Sequence, residues 1–126
     1  MKEEPLMEGY IDEYMVPRIT GIKVSGLKED ISLEPILDTG FNGEFSLPKR
    51  FLSAAKVQFI GTDYFELADG RVVEKEIFVG EIIIKDTVYL VEMNITDSDD
   101  ALIGTGVLKK KVAVFDFKRN KVNIKK

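Results

Sequence analysis

Turn residues recur along this chain at intervals too short to hold helical crossovers between parallel strands. Apolar and β-branched blocks occupy residues 19–24, 32–37, 44–47, 57–68, 71–84, 87–95, 111–117 and 121–124. Between them stand Gly26 with Lys28-Glu29-Asp30, Asp69-Gly70, Lys85-Asp86 and Arg119-Asn120, residues that favour turns. The spacing predicts a mainly β protein whose sequence neighbours are joined by hairpins. An open sheet of so many strands leaves exposed edges, so the pattern points to a closed or nearly closed barrel.

Two stretches break the β pattern, and short helices are expected there. Residues 48–56 place Pro48 near a first helical turn, and residues 105–110 begin beside two glycines. Residues 17–126 read as a single domain. Residues 1–16 are harder to place: 1–8 form a polar arm, and 10–16 have the aromatic and β-branched character of an extra edge strand or a subunit contact.

At 126 residues the chain has room for one core, and 44 % hydrophobic residues suffice to fill it without disulfides or a structural metal. It contains no cysteine and no histidine. That removes thiol nucleophiles, thiolate zinc sites, imidazole ligands and the Ser-His-Asp and Cys-His constellations. Acid-base work must fall to carboxylates, lysines, tyrosines or water. The Asp97-Ser98-Asp99-Asp100 run lacks the glycine and terminal glutamate of a calcium loop and reads as a solvated loop. A net charge of −4 speaks against a nucleic-acid partner, and Lys109-Lys110-Lys111 suits a helix C-terminus better than a phosphate backbone. No apolar run approaches the roughly 20 residues of a membrane span. The start of the chain lacks the pattern of a signal peptide, so a soluble, cytoplasmic protein without metal or cofactor is expected.

The segment richest in chemistry is Pro35-Ile36-Leu37-Asp38-Thr39-Gly40-Phe41-Asn42-Gly43. An apolar strand runs directly into Asp38, and a carboxylate at the end of a buried strand is costly unless the fold satisfies it or a reaction uses it. Taken alone, the tripeptide also fits a turn acid or helix cap with no catalytic task. Ala101-Leu102-Ile103-Gly104-Thr105-Gly106-Val107-Leu108 has a related design without the acid, as though Gly104 repeated Gly40. Asp69-Gly70, flanked by β blocks, predicts a hairpin with a type I′ turn.

These segments, in this order, resemble the retropepsin-like aspartic proteases, and in particular their small prokaryotic branch. The similarity runs over residues 19–124 and rests on Ile36-Leu37-Asp38-Thr39-Gly40, the Leu67-Ala68-Asp69-Gly70-Arg71 hairpin and Leu102-Ile103-Gly104. It implies the acid-protease β-barrel with one or two short helices, and hydrolysis of peptide bonds by water activated between two aspartates. The two acids lie so close that they do not ionise together. This chain has one Asp-Thr-Gly, so the resemblance implies a homodimer in which each protomer supplies Asp38.

By the same resemblance, Thr39 fixes the two loops across the axis and Gly40 lets a peptide or protein substrate approach. Asn42, Ala68, Asp69, Gly70 and Gly104 fall at substrate-binding positions, with the Asp69-Gly70 hairpin as a flap. Retroviral relatives follow Asp-Thr-Gly with Ala or Ser and then Asp, and follow the second glycine with an Arg that pairs with that Asp. Here Phe41, Asn42 and Thr105 stand instead. Loss of both partners leaves a second reading, a dimeric binding or scaffold module with weak or absent catalysis. A β-barrel ligand binder with a chance motif is the remaining alternative, and it predicts a monomer. Tyr10, Tyr14, Phe115 and Phe117 read as packing or interface residues.

Overall fold

The computed structural model describes residues 4–126. The first three residues of the expected polar arm lie outside the described residues. Twelve strands follow in chain order: β1 (Met7–Ile11), β2 (Pro17–Thr20), β3 (Ile22–Val24), β4 (Ile31–Leu33), β5 (Ile36–Leu37), β6 (Phe45–Pro48), β7 (Val57–Glu66), β8 (Val72–Ile84), β9 (Thr87–Thr96), β10 (Leu102–Ile103), β11 (Val112–Asp116) and β12 (Lys121–Lys125). All join one sheet in the order β11-β12-β1-β2-β5-β10-β6-β9-β8-β3-β4, with β7 also paired to β8.

The mainly β expectation holds, and strand alternation explains it. Phe78, Ile82 and Ile84 of β8, Ile22 and Val24 of β3, and Val122 and Ile124 of β12 turn to one core, with Gly80 also buried, while the alternate residues are more exposed. β6 is buried along its whole length, with Phe45 and Leu47 at the centre of the core. Burial of each such side chain contributes about 1.5–3 kcal/mol.

Four features differ from the sequence reading. Among the described residues the sheet does not close by hydrogen bonds: its path ends at β11 and β4, which do not pair. The shortness of β4, at three residues, limits one open edge. The expected helix at 48–56 shrinks to a 3-10 turn, Lys49–Phe51, with Pro48 ending β6. The expected helix at 105–110 is absent, replaced by consecutive tight turns. Nor is the N-terminal stretch an edge strand. β1 lies between β12 and β2, pairing Met7 with Ile124 and Gly9 with Ile19, and buries Met7 and Ile11.

The turn after β1 is organised by Asp12. Its Oδ1 accepts hydrogen bonds from the backbone N–H groups of Tyr14 (2.9 Å) and Val16 (3.0 Å), and its Oδ2 accepts one from Arg18 Nε (3.0 Å). The Arg18 hydrogen bond, helped by those two N–H groups, holds the Asp12 carboxyl below its ordinary value of 3.8. A depressed folded-state value means stabilisation that is present above the unfolded value and lost as pH falls through the folded one. Asp12→Asn is therefore expected to lower the urea midpoint at neutral pH, with the gap from the parent closing well below pH 3.8. An equal gap at both pH values contradicts this account.

Candidate active site

Asp38 is the first residue after β5, and its backbone is fixed before its side chain is considered. β5 pairs in parallel with β10, placing Ile36 opposite Leu102 and Leu37 opposite Ile103. Ile36 N–H donates to Ala101 O and Asp38 N–H donates to Ile103 O, both at 2.9 Å. Asp38, rather than Gly40, is thus level with Gly104, two residues off the alignment suggested by matching the glycines. The carboxylate is half-buried, and Oδ1 accepts a hydrogen bond from Gly40 N–H at 2.9 Å. Phe41 N–H closes the turn on Asp38 O at 3.2 Å, leaving Thr39 and Gly40 exposed.

The two segments that the sequence paired by design are joined in space. Gly104 N–H donates to Glu44 O (3.0 Å), Thr105 N–H to Phe41 O (2.8 Å) and Gly106 N–H to Gly43 O (3.1 Å). Gly104 is buried, and a Cβ there would run into the carbonyl oxygens of Gly43 and Phe41. Only glycine allows this approach. The departures at 41 and 105 also meet: the Thr105 amide holds the Phe41 carbonyl, with the Thr105 hydroxyl at a longer 3.4 Å.

The long β7–β8 hairpin runs from Val57 opposite Gly80 to Glu66 opposite Val72, with a bulge between Phe59 and Gly61. Its base is anchored by Phe78, whose ring meets Phe59 edge-on at 5.6 Å. Its outer half is a free arm: Tyr64 is 65 % exposed and Val72 63 %. At the tip, Leu67 N–H donates to Arg71 O (2.7 Å) and Gly70 N–H to Leu67 O (2.9 Å). Gly70 has φ 86°, whereas Ala68 and Asp69 have no positive φ, so the turn is a three-residue loop ending in a left-handed glycine, not type I′. Asp69 Oδ1 accepts from Arg71 N–H at 3.0 Å and Oδ2 from Arg71 Nε at 2.6 Å, which stiffens the tip.

A groove separates this hairpin from the loop after Asp38. Asn42 and Glu44 line one wall, Asp63 and Phe65 of β7 the other, and Met93 and Asn94 of β9 lie between. A second hollow beside Asp38 and Thr39 is lined by Pro17, Phe115 and Phe117. The fold therefore gathers Asp38, Thr39, Gly40 and Gly104 and puts Asn42 in the groove. Ala68, Asp69 and Gly70 stay at the hairpin tip, exposed, and the hairpin approaches the loop through Asp63 and Phe65 instead.

The sequence reading missed Asp63, Phe65 and Asn94, which belong to no local motif. Strand register alone brings them there, with Asn94 level with Ser46 of β6, whose hydroxyl donates to Asn94 Oδ1 at 2.6 Å. Among the described residues no group of three or more acids gathers as a metal cluster. The acidic run near 97–100 is instead tied to arginines, Asp99 to Arg50 and Asp100 to Arg18. No helix of the described residues is long and apolar enough to cross a membrane.

A parallel β5–β10 pair, ending in an Asp-Thr-Gly turn on one side and a buried glycine on the other beneath a long hairpin, defines a protein with the fold of the retropepsin-like aspartic proteases. Two solved structures illustrate it. A retropepsin-like aspartic protease from Rickettsia conorii matches with a TM-score of 0.59 and 12 % identity, over 94 % of this chain and 89 % of that one. The protease of a simian foamy virus (mac) matches with a TM-score of 0.51 and 14 % identity, over 70 % of this chain and 90 % of that one. No protein-family model matches the chain, and no curated protein matches it either.

Proposed function

We propose that this protein is an aspartic endopeptidase that works as a homodimer in the cytoplasm, with Asp38 of each protomer facing the other across a two-fold axis. The observation that carries the reading is the placement of Asp38: a carboxylate at the open end of a buried strand, its backbone pinned to Ile103 and its turn exposed. One carboxyl of the pair holds a proton while the other takes one from a water molecule, whose oxygen attacks the substrate carbonyl carbon. The held proton first serves that carbonyl oxygen, and collapse of the tetrahedral species delivers a proton to the leaving amine.

Thr39, exposed beside Asp38, is the residue assigned to hold the partner's loop, and Gly40 leaves space for the scissile peptide. The β7–β8 hairpin closes over substrate through its exposed apolar arm, with Ala68, Asp69 and Gly70 at the tip. Asn42 lines the groove where the extended peptide runs. Gly104 supports the site by letting the two loops pack. The absence of cysteine suits a reducing compartment.

Incubation with casein and a peptide library across acidic and neutral pH, with a pepstatin-class inhibitor as control, tests the activity. Sedimentation of the same preparation tests assembly. Inhibitable cleavage by a dimer is the expected result. A dimer without cleavage favours the scaffold reading, which the exchanges at Phe41, Asn42 and Thr105 support, and a stable monomer at micromolar concentration counts against both.

A further inference from the structure

Arg18 joins three separate parts of the chain at the end of the β5–β10 pair away from Asp38. Its Nε donates to Asp12 Oδ2 at 3.0 Å, while Nη1 donates to Asp100 Oδ1 at 3.0 Å and to Glu34 O at 3.3 Å. The contact with Asp12 is partly shielded, with the Arg18 side chain 23 % exposed and that of Asp12 14 %, whereas the Asp100 side chain is 43 % exposed. Glu34 lies just before β5 and Asp100 just before β10, so one guanidinium ties together the starts of the two strands that lead to Asp38 and Gly104. Arg18 is also level with Ile36 in the β2–β5 pairing.

β5 and β10 are two residues each, and a parallel ladder that short has little hold on its own register. Past Asp38 the pair is secured by backbone bonds from residues 104–106 to residues 41–44. Before β5 and β10 the side-chain tie between them is Arg18. We propose that Arg18 is a positioning residue for Asp38: by clamping Glu34 and Asp100 onto the rigid Asp12 turn, it fixes how far β5 advances along β10 and hence where the Asp38 carboxylate stands. The fork of the guanidinium is needed, because an ammonium is a point charge and does not reproduce the divergent Asp12 and Asp100 contacts.

The catalytic part of this inference rests on the proposed protease function; the structural part does not, and the experiment separates them. Arg18→Met and Arg18→Lys are made in the full chain, and backbone amide exchange is followed at Ile36 and Asp38, whose N–H groups donate to Ala101 and Ile103 of the facing segment. The β8–β9 ladder serves as internal control. Both variants are expected to exchange about 10-fold faster or more at Ile36 and Asp38, with the β8–β9 amides unchanged. Peptide cleavage is expected to lose about 10-fold or more in kcat with KM held within about twofold, because a small displacement of a reacting group costs rate rather than binding.

Unchanged exchange at Ile36 and Asp38, or a rise matched by the β8–β9 control, overturns the clamp. Local loosening with kcat unaltered overturns the positioning role. If the parent protein cleaves nothing, the protease reading fails while exchange still decides whether Arg18 governs Asp38. Should Arg18→Met not fold, Asp100→Ala, which removes only the side-chain acceptor of the tie to β10, is read by the same measurements.

Discussion

Asp38→Asn is expected to abolish peptide cleavage, by about 10²–10⁴-fold or more, while leaving the fold and the dimer in place. Asparagine has the same shape, and its Oδ1 accepts the Gly40 N–H as the carboxylate does at 2.9 Å. What it loses is the capacity to take a proton from water, and in a homodimer one substitution removes that capacity from both halves of the site. Mixing parent and variant subunits sharpens the test. Random assortment of equal amounts leaves about a quarter of dimers with two Asp38 carboxyls, so activity per total protein should fall to about a quarter. A residual near one half after exchange would mean that each chain carries a complete site, and full activity of the pure variant would sink the protease proposal.

Gly104→Ala is expected to produce the larger structural defect, although it adds only one methyl group. The new Cβ meets the carbonyl oxygens of Gly43 and Phe41, which are backbone and have no rotamer to escape into. Overpacking of this kind costs about 1–3 kcal/mol and occasionally more. Relief comes only by parting the two loops, which breaks the hydrogen bonds from Gly104, Thr105 and Gly106 to the segment after Asp38. The variant should show a clearly lower denaturation midpoint and lose cleavage with it. Gly40→Ala is the contrast, since its Cβ meets only Asp38 Oδ1, at 3.3 Å, and it should fold with a midpoint close to the parent. Equal midpoints for the two alanine variants would contradict the packing account.

Much of the β architecture was legible because strand alternation is a local property. The blocks around β8, β9 and β12 could be read from residues two apart, and those residues do face the core. The two helices were misread for a physical reason that lies outside their own sequence. After Lys49–Phe51 the chain is drawn into strand-like contacts: Lys56 N–H donates to Ser25 O, Leu27 N–H to Ala54 O, and Ala55 bridges Gly26. At residues 105–110 the first amides are taken by carbonyls of residues 41–44, the remaining bonds span three residues, and Lys110 with φ 62° ends any helical course. The arm expected at 1–8 and the edge strand or subunit contact expected at 10–16 do not anticipate β1, because nothing in residues 7–11 reveals that β12 and β2 flank them.

The candidate site divides the same way. Asp38, the turn after it and Gly104 were visible in the sequence, since an apolar run ending in an acid or a glycine is a short-range pattern. The arm of the hairpin was visible too, but not that Asp63 and Phe65, rather than the Asp69-Gly70 tip, line the groove. The sequence alone shows most of the strand-forming blocks, the position of the candidate carboxylate Asp38 along the chain, and which chemistries are excluded. Only the tertiary structure decided that β5 lies against β10, that Gly104 stands level with Asp38, and that Arg18 binds the starts of both strands. Those contacts join residues far apart in sequence, and their choice depends on how the whole sheet buries its core rather than on any local preference of the residues that make them.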